Sequence, residues 1–318
     1  MRVTSNSFPL DLRNQLGDLA TKQAELQRQA ATGQRISAPS DDPRAMRKAL
    51  DLQNELRSLN QYHRSTDKLR EILDAGYTSV SGLKRLSDRA NEVTVLADMS
   101  RGAEGLTAYK QEINQLLEQA VNLANTKHHT GYLFGGTKND VPPITATRDA
   151  SGKITAVAYN GTENVIASDV AEGVSVSVNF PGVNTGPGQN GVLKNSAGAD
   201  FLNHLIALRN NLETAATGGA AGAAAINTIK STDSANLQKD ESNFIDIFGR
   251  VGATQSSLDT TKAISQKRAE ALDPLISAEA DADLADTIVR LNQIQNAYTA
   301  ALKSGGTILN TSLLDYLR

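Results

Sequence analysis

The pattern of this 318-residue chain predicts a mainly α protein. Both chain ends form a long antiparallel helical bundle or coiled coil, and a small β-rich domain is inserted in the middle. Three observations carry that expectation. Both termini hold narrow apolar stripes at heptad spacing. The stretches next to them are long and helical. Near residue 131 the composition shifts to Gly, Asn and alternating Val.

The C-terminal stripe lies on a helix expected over Asp281–Arg318. Leu284, Ile288, Leu291, Gln295, Tyr298, Leu302, Gly305, Leu309, Ser312 and Tyr316 alternate in steps of three and four, the spacing of a helix that packs lengthwise on another helix. At about 1.5 Å per residue it is roughly 55 Å long, too long for a small domain to cover. Gly305 and Gly306 each cost about 1 kcal/mol in a helix relative to Ala. Close approach of a neighbouring subunit's backbone is the expected compensation. The N-terminal helix, expected over Phe8–Thr32, carries a matching stripe of Leu12, Leu16, Leu19, Gln23, Leu26 and Ala30.

A break separates it from the next helix. Gly33 suits a helix end, and Pro39 excludes helix at Ala38. Ser40, Asp41 or Asp42 can cap the following helix, with Pro43 in its first turn. The two aspartates therefore read as caps rather than as metal ligands or acid/base groups. A very long helix follows to about Asp98, then a turn over Arg101–Gly105 and a third helix over Leu106–Thr126.

Strands are expected next, at about residues 136–200. Asn160-Gly161 separates Lys153–Tyr159 from a partner near Asn164–Ser168, the strongest short-range hairpin signal. Val174–Phe180 alternates strictly, as a strand with one buried face does. Helix returns over Asp200–Ala216. Thr217–Gly222 reads as a break, a long helix as spanning Ala223–Ala271, and Asp273-Pro274 as its interruption.

Composition narrows the function classes. Aromatics are only 4% and Trp is absent, so a single large core is not expected. The net charge of −3 without a basic block gives no reason to expect nucleic acid or a membrane as partner. There is no cysteine, which removes disulfides and thiolate chemistry. Met1–Asn6 lacks the apolar stretch of a signal peptide, which alone reads as a cytoplasmic address. No HExxH, phosphate loop or GxSxG elbow occurs. The adjacent His128 and His129, read as helical, point two ways and make no metal site. No catalytic, cofactor or metal residue is expected, and the chain reads as no enzyme. The Asn160 and Asn310 sequons are short enough to arise by chance.

Four stretches then point to a known family. Thr32-Gly33-Gln34-Arg35-Ile36-Ser37-Ala38-Pro39-Ser40-Asp41-Asp42-Pro43 resembles the TGxRIxxPSDDP segment of the bacterial flagellin superfamily. Gly131-Tyr132-Leu133-Phe134-Gly135-Gly136-Thr137 with Pro142-Pro143 is similar to the GxYLFGGT segment of its hook-associated protein 3 branch, the hook–filament junction proteins. Leu313–Arg318 resembles the ending of that branch, and Met1–Thr4 its opening.

The resemblance implies three regions: a terminal coiled-coil, inner-tube domain over 1–40 and 275–318; a long-helix rod domain over 41–135 and 201–274; and an outer β domain over 136–200. It also implies unfolded export through the flagellar type III apparatus with a chaperone, and an extracellular place in the flagellum. The expected partners are further copies in a ring or helical array, the other hook-associated protein and filament flagellin. Leu12, Leu16, Leu19, Leu26, Leu284, Ile288, Leu291, Tyr298, Leu302, Leu309 and Tyr316 would form the assembly seam. A short filament flagellin shares both termini and is the alternative reading. An enzyme carried in the insert is disfavoured because the insert holds no zinc or nucleophile motif.

Overall fold

The computed structural model describes residues 7–129, 131–177, 179–186 and 191–316; side-chain positions at 7–9 and 308–316 lie outside the description. Helices dominate: α1 (Ser7–Thr32), α2 (Pro43–Leu96), α3 (Gly102–Ala124), α4 (Phe201–Ala216), α5 (Gly219–Thr228), α6 (Ser234–Ala280) and α7 (Leu284–Tyr316). Eight short strands lie between α3 and α4. They are β1 (Lys127–His128), β2 (Gly131–Tyr132), β3 (Ile144–Arg148), β4 (Ile154–Tyr159), β5 (Ala167–Ala171), β6 (Val174–Ser177), β7 (Val183–Asn184) and β8 (Lys194–Asn195). They pair only in twos. The chain divides into two compact units, residues 1–60 with 267–318, and residues 61–266.

In the second unit, α2, α3, α4 and α6 enclose a core. Leu73, Leu83, Ile113, Leu117, Phe201, Leu205, Leu208 and Phe244 have no exposed surface. Ile144, Ile154, Val170 and Phe180 of the strand region join the same cluster. The short ribbons thus gain stability from helices, because isolated two-stranded hairpins are marginal in water.

Ion pairs run antiparallel along α2 and α6. Lys84 pairs with Glu241 at 3.4 Å, Arg70 with Asp259 and Lys262 with Asp67 at 2.5 Å. In the first unit, Arg268 pairs with Glu55 at 2.7 Å and Lys48 with Glu279 at 2.6 Å. Each is largely exposed and worth at most about 1 kcal/mol. Their main effect is on the register between the two helices.

Several expectations are corrected. Arg101–Gly105 is not the turn: Met99–Arg101 is one 3-10 turn, and α3 starts at Gly102. Asp98 Oδ1 accepts the Ser100 amide at 3.0 Å, and Gly102 takes φ 68°, so the reversal closes earlier. Asn160-Gly161 is not the hairpin turn either. β4 pairs antiparallel with β3, upstream, through the loop around Gly152. There Asp149 Oδ1 accepts the amides of Ser151 and Lys153. Asn160 instead spends its side chain on Thr145 Oγ1 at 2.5 Å, tying off the open end of the same ribbon.

β6 has no buried face. It pairs with β5, and only Val176 is half-buried. The ribbon reaches the core through Val170 of β5, and the alternating valines of β6 stay largely outside it. Of the expected break over Thr217–Gly222 only Thr217-Gly218 stays outside helix, because the Ala-rich run after Gly219 favours helix. The long helix is divided by a π-helical turn, Ile229–Asp233. It also runs through Pro274 to Ala280. An internal proline costs about 3 kcal/mol. The far end is held regardless: Leu272 is fully buried, Arg35 N donates to Ala280 O at 2.8 Å, and Arg35 Nη2 to Glu279 O at 2.7 Å. Finally, His128 and His129 are not on a helix. His128 lies in β1, and His129 takes φ 50°.

Candidate assembly surface

The terminal helices α1 and α7 pack on each other. On α1 the heptad reading holds position by position. Leu12, Leu16, Leu19, Gln23, Leu26 and Ala30 are half-buried, and the residues between Leu12 and Leu26 are otherwise exposed. On α7 the least exposed positions are Thr287, Leu291, Ile294, Tyr298, Ala301 and Gly305, with Gln295 beside them.

The sequence-derived stripe therefore splits. Leu291, Tyr298 and Gly305 lie in the covered row. Leu284 (47%), Ile288 (50%) and Leu302 (47%) stand exposed, together with Val289 (54%). The side chains of Leu309 and Tyr316 lie outside the described residues. Thr287 and Ala301 fall one step before the chosen heptad positions Ile288 and Leu302, and Ile294, which the sequence places beside the seam, lies in the covered row.

Gly305 packs closely on this chain's own α1. A Cβ there would fall 2.4 Å from Leu12 Cδ2, whereas Gly306 faces open space. Leu12 thus accounts for one of the two glycines.

The break between α1 and α2 is ordered by its charged motif. Asp42 Oδ1 accepts the amides of Arg44 (3.2 Å) and Ala45 (3.1 Å), so Asp42 caps α2 with Pro43 as its first residue. Asp41 Oδ2 accepts the amides of Ser37 and Ala38, both at 3.0 Å. These amide donors, chiefly, hold both carboxyls below their ordinary range. Gln34 and Asp281 form an antiparallel bridge, with Ala282 N donating to Gly33 O at 2.8 Å. The break after α1 and the break before α7 are thus one joint, capped and charge-neutralised, and its aspartates are fully used as structural acceptors.

The Gly131–Thr137 segment is a packing hub. Phe134 is fully buried, and its carbonyl receives Gly182 N at 2.8 Å. The Tyr159 hydroxyl lies 2.9 Å from Phe134 O and accepts from Gly182 N at 3.2 Å. A Cβ at Gly135 would lie 2.2 Å from Lys138 O, and one at Gly136 would lie 2.1 Å from Thr162 O. Gly136 also takes φ 67°. Both positions require glycine because backbone crosses backbone there.

Arg209, unremarkable in the sequence, is among the largest buried side chains. Its Nη1 donates to Ile154 O at 2.6 Å, and burial lowers its pKa. It links α4 to β4.

With this geometry in place, comparison with known proteins is informative. Residues 3–139 match the model of the bacterial flagellin N-terminal helical region. No curated protein sequence matches the chain. Solved structures resemble it across most of its length. A Vibrio parahaemolyticus protein described as a flagellar hook-associated protein aligns with TM-score 0.61 at 20% identity, over 76% of this chain and 100% of that one. Xanthomonas campestris FlgL aligns with TM-score 0.60 at 16% identity, over 71% and 99%. Flagellar hook-associated protein 3 of Legionella pneumophila gives TM-score 0.58 at 14% identity, over 76% and 98%. Residues 3–139 are thus similar to the bacterial flagellin N-terminal helical region, and the chain shares its fold with solved flagellar hook-associated proteins.

Proposed function

We propose that this protein is a structural component of the bacterial flagellum, the hook–filament junction adaptor, and that it self-assembles through its terminal helices. The observation that carries the assembly reading is the exposed row Leu284, Ile288 and Leu302 beside the α1–α7 contact. Two helices cannot enclose it. Full burial of such a side chain is worth about 1.5–3 kcal/mol, of which about half is still to be gained where half the surface is already covered, and identical neighbours in a ring supply matching walls. The fold likeness to hook-associated proteins supports the junction position. The motif hub and the capped joint serve as scaffold, with no part in catalysis.

In this reading the chain reaches the flagellum by type III export with a chaperone. It then sits between the other hook-associated protein and filament flagellin. The three-part division, with 1–40 and 275–318 innermost and 136–200 outermost, belongs to the same proposal, as do Leu309 and Tyr316 as the end of the seam. The terminal pair gains its full order on assembly, since helices draw most of their stability from packing.

The test is complementation of a junction-null strain with Ile288→Asp/Leu302→Asp. Electron microscopy is expected to show hooks without filaments, and filament protein free in the medium. Normal filaments on hooks would overturn the seam assignment. Polymer made of this chain along the whole filament would favour a short filament flagellin instead.

A further inference from the structure

We propose that Glu71, His128 and His129 form a binding site for one divalent transition metal of the zinc type. A ligand atom from each lies within 4.8 Å of the others. Glu71 Oε2 and His129 Nε2 are 3.5 Å apart, close to the edge of a tetrahedron built on metal–ligand bonds of about 2.0–2.2 Å. The two imidazole rings stand 4.3 Å apart, edge to face. Small rotations bring all three donors to one centre.

One further feature points to a ligand. His128 Nε2 is enclosed and has no hydrogen-bond partner, a condition that destabilises the fold until something satisfies it. His129 is the only non-glycine residue with positive φ among the described residues. That φ, 50°, lies in the left-handed region, where His is among the enriched residue types, and belongs to the turn between β1 and β2. The turn leaves both imidazoles beside Glu71.

The three residues line one cavity of about 550 Å³, alongside Lys68, Tyr132 and Asn139. Three protein ligands leave a fourth position for water, the pattern of open zinc sites. With one carboxylate and two imidazoles as donors, Mg²⁺ and Ca²⁺, which need oxygen-rich cages, are poor occupants. Borderline ions that bind imidazole suit it. Occupied, the site clamps the β1–β2 ribbon to α2.

Calorimetric titration of the full chain with zinc chloride tests this. One zinc per chain at micromolar affinity, reversed by EDTA and absent with Mg²⁺, is expected. Changes outside the ligand shell of metal sites already cost about 10- to 100-fold in affinity, so His128→Ala, His129→Gly and Glu71→Gln should each weaken binding by at least about tenfold. His63→Ala should leave it unchanged. His129→Gly separates ligation from folding, because glycine accepts the positive φ. It should melt without metal at or above the wild-type temperature and lose the zinc-dependent rise. Absence of stoichiometric zinc binding by the wild type, unchanged affinity in His129→Gly and His128→Ala, or loss of binding in His63→Ala would overturn the proposal.

Discussion

In residues 61–266, side chains such as Leu83, Leu117, Phe201 and Phe244 lose all their surface, and helices and ribbons share one core. In residues 1–60 with 267–318, Leu12, Leu16, Leu19 and Leu26 are only half-buried, and Leu284, Ile288 and Leu302 are about half exposed. Both units use amphipathic helices of similar composition. The difference is the number of walls. A core closed on every side stabilises itself, whereas a two-helix layer keeps apolar surface in reserve for something else to cover.

The comparison can be broken most directly in the closed core. Phe244 packs edge to face on Phe201, with centroids 5.3 Å apart. Phe244→Ala should cost about 3–5 kcal/mol in denaturant unfolding of the free chain. Leu19→Ala, losing far less buried area, should cost about 1 kcal/mol. Equal costs would mean that the terminal pair is already a complete core.

Arg209→Met probes the same core through its one buried arginine. The Ile154 carbonyl loses its guanidinium donor, and a loss of about 1–3 kcal/mol is expected. Amide exchange sharpens the contrast without mutation. On dilute protein, residues 287–305 should exchange at least about tenfold faster than 202–212. Strong protection of both would contradict a reserve surface.

Gly305 is a subtler lever. Gly305→Ala adds about 1 kcal/mol of helix propensity but drives a methyl into Leu12. Alone it should give no net gain in helix melting. With Leu12→Ala in the background it should stabilise, so the sign of its effect reports whether α1 and α7 pack in this register.

The smallest effect concerns pH. Lys230, at 2.7 Å, and the Ser100 amide hold the Asp98 carboxyl down to about 2, from an ordinary 3.8. A depressed carboxyl contributes stability that is present above its unfolded value and lost as pH falls through the folded one. Lys230→Ala should therefore flatten the acid limb of the melting curve between about pH 4 and about pH 2 and leave neutral pH nearly unchanged.

Legibility in the sequence followed the range of the interaction. The α1 stripe was readable because all its members but Gln23 are apolar and the period is local. The Asp42 cap with Pro43 was readable for the same reason. The β3–β4 register was not. Asn160-Gly161 advertises a turn, but a side-chain bond from Asn160 to Thr145 and the Asp149 loop decide the pairing. Pro274 advertises a stop, but anchoring of α6 at Leu272 and Ala280 outweighs it. The covered row of α7 was misplaced by about one position because Thr287 and Ala301 are silent in any apolar count. Glu71, 57 residues before His128, could not be associated with the histidine pair by spacing at all.

The bridge between Gln34 and Asp281 has a consequence in time. Arg35 and Glu279, bonded within the same joint, are 244 residues apart in the chain. Bringing such distant segments together costs loop entropy that grows with the logarithm of the intervening flexible length, and contacts of this separation slow folding. If residues 61–266 fold first, the flexible part of that loop shrinks to the short stretches on either side. The closed core then acts as a clasp that brings the two halves of the joint within reach. Order of folding is thereby built into the nesting: middle first, ends last.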